Sequence, residues 1–300
     1  MNKESSGKKK MEKAPISVII LTYNDEANIR ACLESCRDLT DEIFIVDSFS
    51  TDRTLELARE YTGKIYQNAW VHWAHQRNWA MDNLPISNEW VFFLDSDERL
   101  TDELKQEIVN TLTGNYQLLE GYYIKRNFYF LGRWLKHGGY QSDYILRLIR
   151  KDKGRVIGIG PREYVTLEGR IGKLRAPMLH EDKKNLSFWI EKHNMYSSLD
   201  AQEVLKVAAS KGLAQHSAGQ ETRKIEHGSK VWLREKIWAR LPILFRPIGY
   251  FFYRYFFQLG FLDGKEGLIY CFLHGLWYPF LVDAKYFELK KGLQNNGKTI

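Results

Sequence analysis

Two aspartates on alternate residues, Asp95 and Asp97, stand directly after the apolar run Trp90–Leu94. Paired carboxylates at that spacing make a hard oxygen site suited to Mn2+ or Mg2+, ions that keep waters and complete their shell with phosphate oxygens. Two other polar clusters accompany them, Thr22-Tyr23-Asn24-Asp25-Glu26 and Asp47-Ser48-Phe49-Ser50-Thr51-Asp52, and Ser96 lies between the aspartates. Singly, such clusters read as turn and N-cap chemistry. Three of them, each following an apolar run, read as one rim. No G-x-G-x-x-G follows the first run and no G-x4-G-K-[ST] occurs, which takes most of the weight from hydride transfer and P-loop phosphoryl transfer. A metal between carboxylates, opposite a polar rim able to take a base and a ribose, fits a nucleoside diphosphate leaving group.

The elements that must position these residues follow from the apolar pattern. Ile16–Tyr23 is a β-branched run of strand length, as expected of a strand buried on both faces of a parallel sheet. Residues Glu42–Val46, Lys64–Gln67 and Glu89–Leu94 predict three more strands, with helices over Glu26–Arg37, Arg53–Tyr61 and Ala74–Asn83 between them. Asn24 and Asp25 are candidate caps for the first helix, and Ser50-Thr51-Asp52 for the second. Alternation at about 25 residues per unit is a doubly wound α/β layout, whose ligands bind beyond the carboxyl ends of the strands. All three polar clusters sit at those ends. A long helix is predicted over Leu186–Lys211, packing back on the sheet, and the polar stretch Ser217–Lys230 reads as a linker.

With 300 residues, 44% hydrophobic and 27% charged, the chain is an ordinary globular one, which excludes bulk disorder and a polytopic membrane protein. Its three cysteines, Cys32, Cys36 and Cys271, include no C-x2-C pair and point to a reducing cytoplasm; Cys32 and Cys36 read as small apolar residues on one helix face. Residues 1–14 read as a charged, disordered lead, without the apolar centre expected of an export signal. The net charge of +7 is uneven: residues 183–300 hold 18 basic against 10 acidic side chains. Aromatics follow the same division, with 18 of 42 between Trp232 and Phe287. Gly267–Val282, the longest stretch there without Asp, Glu, Lys or Arg, is too short to span a bilayer. Helices lying on an anionic membrane surface are favoured over plain core, an oligomer contact or a nucleic-acid platform.

The segments ISVIILTYNDEANIRACLES (16–35), DEIFIVDSFSTDRTLELA (41–58), QRNWAMD (76–82) and EWVFFLDSDERL (89–100) resemble, in order and spacing, the family 2 glycosyltransferases of the GT-A fold. Residues 132–156 and 260–291 are similar to the lipopolysaccharide-core β-glucosyltransferase branch. The resemblance implies a GT-A domain over residues 15–215, a C-terminal membrane-surface region over 216–300, and an inverting, metal-dependent transfer of a hexose, glucose from UDP-glucose, to a membrane-held glycolipid at the cytoplasmic face. It further implies that Asp47 binds the uracil edge, that Thr22, Tyr23, Asn24, Glu26, Ser50 and Asp52 lie near the nucleoside, and that Arg77 and Ser96 lie near the diphosphate and sugar. Asp95 would touch ribose or sugar, or share with Asp97 a Mn2+ or Mg2+ that Asp97 ligates directly. Homo-oligomerisation through the C-terminal region is a further expectation, and nucleic acid is not an expected partner.

An inverting transfer needs a carboxylate on the acceptor side to take the hydroxyl proton. By the resemblance, Glu163 is favoured, although Arg162 stands where the branch carries His; Asp182 and Glu181 are the alternatives. His180 reads as a pyrophosphate contact or a structural residue. Arg147 and Arg150 read as phosphate ligands or as the polar face of a half-exposed strand. Trp134 with the Gly138-Gly139-Tyr140 turn would form a flap over the sugar. A polyprenyl-phosphate acceptor, needing no base, and a non-catalytic scaffold are the rival readings.

Overall fold

The computed structural model describes residues 12–114, 119–139, 144–158, 163–211 and 243–295. Residues 1–11 of the lead, Tyr140, Arg162 and the segment 217–242 lie outside them. The chain divides into two compact units, one of residues up to Tyr129 with Ser142–Lys183, the other of Phe130–Gln141 with Lys184–Ile300.

In the first unit, β1 (Ile16–Thr22), β2 (Ile43–Asp47), β3 (Ile65–Gln67) and β4 (Trp90–Asp95) form a parallel array in the order β3-β2-β1-β4. Between them run α1 (Ile29–Cys36), α2 (Thr54–Arg59) and α3 (Trp73–Asn83). Successive strand residues serve opposite faces: Val18, Ile20, Phe92 and Leu94 pack with Leu33 of α1, while Ile19, Phe44, Val46 and Phe93 pack with Ala80 and Met81 of α3. Each buried side chain of this kind contributes roughly 1.5–3 kcal/mol, so the continuous apolar runs are what a two-sided strand requires. Cys32 and Cys36 are buried on the inner face of α1, as free thiols.

The α/β reading and its parallel half are borne out, and the sheet then continues in mixed sense. After β5 (Glu98–Leu100) and α4 (Asp102–Thr113) come β6 (Gly121–Phe130), β7 (Arg133–Trp134), β8 (Tyr144–Arg150), a separate hairpin of β9 (Gly154–Ile157) and β10 (Tyr164–Leu167), and β11 (Ile171–His180). β8 joins the sheet antiparallel to β4 and β6, and β11 lies parallel to β6 and antiparallel to β5. α4 is capped by Thr101, whose hydroxyl accepts the Leu104 N–H at 3.1 Å, with Asp102 and Glu103 in its first turn.

In the second unit, α5 (Leu186–Lys211) packs along α8 (Tyr278–Asn295), where the Tyr278 hydroxyl donates to Asp200 at 2.8 Å and Lys285 Nζ to the Asn194 carbonyl at 2.7 Å. Between them in sequence lies a helical hairpin. Its first arm is α6 (Arg246–Phe252) continued by a π-turn at Tyr253–Phe257; its second is α7 (Gly264–Phe272) continued by a π-turn at Leu273–Trp277. The arms approach closely around Gly260 in the turn between them: a Cβ there would stand 2.8 Å from Cys271 Sγ of the second arm and 3.0 Å from the Arg254 carbonyl oxygen of the first. Among the described residues no helix is long and apolar enough to cross a membrane.

Candidate functional site

The loops after β1 and β2 are stitched together. Asn24, in the left-handed region at φ 49°, takes the Thr51 N–H on its side-chain oxygen at 2.8 Å and donates its own N–H to Ser50 Oγ at 2.9 Å. The Asp25 N–H donates to Thr54 Oγ1 at 2.7 Å and the Glu26 N–H to Asp52 at 3.1 Å, while Glu26 accepts the Arg53 N–H at 3.1 Å. Asn24 and Asp25 are therefore not helix caps as expected: α1 starts five residues later, at Ile29, because Asn24 and Asp25 are used between loops. Asp52 does serve α2, accepting the Thr54 N–H at 3.0 Å. Ser96 ties in the third cluster, donating to Asp25 at 2.8 Å. Tyr23 and Phe49 stand exposed at this rim, Phe49 at φ 62°, an unusual conformation for a bulky side chain that the sequence did not flag.

Asp47, expected to read uracil, is fully buried, with Thr22 Oγ1 donating to it at 3.0 Å, the Ser50 N–H at 2.9 Å, Gln67 at 3.2 Å and the Ser50 hydroxyl also donating. It organises the floor of the rim, and a base edge would have to displace one of these donors.

Beyond β4, the chain assembles a buried ionic cluster. Both carboxylate oxygens of Asp95 are held by guanidinium groups, Oδ1 by Arg77 at 2.5 Å and Oδ2 by Arg147. Arg147 also pairs with Glu98 at 3.0 Å, Arg126 lies 3.6 Å from Glu98, and Glu98 accepts the Asp95 N–H at 3.0 Å. Burial pushes the Asp95 carboxyl up, but Arg147 and Arg77 outweigh it and hold it below its ordinary value; for Glu98 burial wins and the shift is upward. Arg147 is thus no polar face of a half-exposed strand: it is buried and spent on Asp95 and Glu98, while Arg150 pairs with Glu89 and Glu120. Glu98 and Arg126 had no sequence signal, since their partners are distant in the chain.

Both Asp95 oxygens are engaged by arginines, so of the two aspartates expected to share a metal it is Asp97 that would ligate one, and its Oδ2 lies 3.3 Å from Nε2 of His180. The Asp97 carboxylate raises the His180 pKa against the opposing effect of burial, and His180 Nδ1 is buried without a hydrogen-bond partner. The carboxylate oxygen suits either Mn2+ or Mg2+, and the imidazole nitrogen beside it favours Mn2+ of the two. Among the described residues no group of three or more His, Cys, Asp or Glu could hold a metal by itself, so a cation here would draw its other ligands from water and phosphate.

The three base candidates all reach this end of the sheet. Glu163 is ion-paired to the buried Arg77, the same guanidinium that holds Asp95, and its second oxygen is buried without a hydrogen-bond partner. Glu181 donates its N–H to the Asp97 carbonyl at 2.9 Å, but its carboxylate is spread between Arg99 at 3.4 Å and Lys183 at 2.8 Å. Asp182 accepts from Asn28 at 2.9 Å.

A polar rim, a guanidinium-clamped aspartate and an Asp–His corner thus come together at the carboxyl ends of the strands. The profile of the family described as Glycosyl transferase family 2 matches residues 17–162. The lipopolysaccharide core biosynthesis glycosyltransferase LpsC of Rhizobium meliloti (strain 1021) is 31% identical over 198 residues, which are 64% of this chain and 72% of that one. The chain is a family 2 glycosyltransferase. The transferase is also similar to an uncharacterized glycosyltransferase of Rickettsia prowazekii (strain Madrid E), 26% identical across 93% of this chain and 89% of that one. Among solved structures, S. aureus TarS 1-349 in complex with UDP-GlcNAc is 17% identical, covering 94% of this chain and 92% of that one at a TM-score of 0.44. The family match and the R. meliloti relative together place the transferase near the lipopolysaccharide-core branch of its family.

Proposed function

We propose that the protein is an inverting, divalent-metal-dependent hexosyltransferase that moves glucose from UDP-glucose to a glycolipid of the lipopolysaccharide-core type, working as a peripheral protein on the inner face of the cytoplasmic membrane. The observation that carries the chemistry is the Asp97–His180 corner beside an Asp95 whose charge is fixed by Arg77 and Arg147. The R. meliloti relative, named for lipopolysaccharide core biosynthesis, supports the acceptor class.

When bound at that corner, Mn2+ or Mg2+ supplies positive charge against which the departing diphosphate is stabilised. Asp97 and His180 would hold it. Arg77 and Arg147 keep Asp95 ionised and oriented, so that it accepts hydrogen bonds from ribose or sugar hydroxyls. The stitched loops carrying Asn24, Glu26, Ser50 and Asp52 form the nucleoside side of the pocket. Glu163 takes the proton of the acceptor hydroxyl on the oxygen that Arg77 does not hold.

The test is UDP release from UDP-glucose with Mn2+ and a truncated lipopolysaccharide acceptor. Asp97→Ala loses on the order of 10³-fold in turnover and Glu163→Gln about 10²–10⁴-fold, with UDP binding retained in Glu163→Gln. Full activity in Asp97→Ala refutes the metal corner. Full activity in Glu163→Gln moves the base to Asp182 or Glu181, full activity in all three carboxylate variants removes the carboxylate base, and turnover with a polyprenyl phosphate in place of an inert lipopolysaccharide favours the phosphate acceptor.

A further inference from the structure

The hairpin of the second unit is inside out. Its interior holds charge: Arg254 is 2% exposed, donating Nε to the Gly138 carbonyl at 2.7 Å and lying 3.0 Å from His274 Nδ1, and the buried Asp263 grips His137 at both its N–H and its ring nitrogen, each at 2.8 Å. Its exterior is apolar: Phe257 is 81% exposed, and Phe252, Phe256, Leu268 and Phe272 are exposed with it. These side chains form one surface. Phe252 stacks on Phe256, Phe256 meets Tyr255, Tyr255 reaches Phe261 of the turn between the arms, and Phe251 lies between Tyr255 and Phe272 of the second arm. Water is a poor neighbour for such a surface, because each exposed ring forgoes a transfer free energy that any apolar cover would return.

The geometry points to an anionic lipid monolayer as that cover, with the hairpin lying flat and its outer aromatic row inserted among the acyl chains. Length favours this over spanning: the first arm is twelve residues, about 18 Å, whereas a bilayer core needs roughly 30 Å, and although the second arm runs on into α8, no helix among the described residues is long and apolar enough to cross a membrane. Charge favours lipid over a second copy. Lys265 is exposed three and seven residues before Leu268 and Phe272, on the same side of the second arm. A two-fold contact would set like charges across the interface, in a chain portion holding 18 basic against 10 acidic residues, while anionic headgroups complement them.

The inference deepens the glycolipid reading, since a protein seated on the leaflet meets acceptors at a raised local concentration, but the two fail separately. The full chain is floated with phosphatidylcholine vesicles, with and without phosphatidylglycerol, and UDP binding is measured in parallel. Phe252→Ser/Phe256→Ser/Phe272→Ser, all at exposed positions, lowers partitioning by at least about tenfold without changing UDP binding. Lys265→Glu lowers it about fivefold on anionic vesicles and not on neutral ones. Unchanged flotation of the triple variant overturns the proposal. So does a parent that is dimeric in vesicle-free buffer and becomes monomeric in the triple variant, which assigns the surface to a second copy. Vesicle binding by a parent that binds no UDP leaves the lipid surface standing and removes the transferase site assignment.

Discussion

The first unit and the hairpin both bury charge, but for opposite ends. In the first unit Asp95, Glu98, Arg77 and Arg147 are paired beneath a polar rim, and the apolar residues lie on both faces of the sheet, away from water. In the hairpin the buried groups are Arg254, Asp263 and histidines among aromatic rings, and the apolar residues face outward. Buried pairs are costly to assemble and more costly to break. The first unit incurs that cost where it fixes the ionisation of a site. The hairpin incurs it to hold a polypeptide together whose outer surface suits a non-aqueous neighbour.

The sharpest way to break the contrast is to unpair the first cluster. Arg147→Met leaves the buried Glu98 and the half-buried Asp95 with fewer compensating charges, so urea denaturation should show a loss of about 3–5 kcal/mol, and adding Glu98→Gln should recover part of it. Recovery is the diagnostic outcome, because a purely steric loss would be deepened by a second substitution.

The hairpin together with α5 of the same unit should answer to pH instead. Burial lowers His193, stacked on Trp189, from 6.5 to about 4, and lowers His274, between Tyr270 and Tyr278, well below its ordinary value. A histidine whose folded pKa is depressed binds fewer protons folded than unfolded, so its contribution is intact above about pH 6.5 and is lost progressively as pH falls toward 4. His193→Gln should flatten melting temperature against pH in that window, and an unchanged slope would assign the loss to other groups.

The smallest expected effect is at the outer row. Phe257→Ser should change the free energy of unfolding by under about 0.5 kcal/mol, because the ring is 81% exposed. A large destabilisation would mean that the outer row is part of a packed core.

Much of the first unit was legible because its signals are local. A run such as ISVIILT must be buried on both sides, and a polar cluster after it must fall at the strand end. The pair Asp95–Asp97 was visible for the same reason. The division of labour between them was not, because it depends on Arg77 and Arg147, 18 and 52 residues from Asp95. The role of Asp47 as an internal acceptor likewise depends on Gln67 arriving from the neighbouring strand. β6 was hidden because GYYIKRNFYF interrupts its apolar pattern with Lys125 and Arg126, one of which faces Glu98. In the hairpin, sequence showed aromatic and basic composition but not which rings face out, since Phe251 and Phe252 differ only by one step around a helix.

The stitched loops after β1 and β2 carry a consequence for how such a site can change. The backbone N–H groups of Asn24, Asp25, Glu26, Thr51 and Arg53 all end on side chains of the opposite loop. Neither loop can then be remodelled alone: replacing Asn24 or Asp52 strands a donor across the gap. Drift toward a different nucleotide would have to proceed by paired substitutions, so this part of the chain should diversify slowly while surfaces with no such reciprocal bonding vary freely.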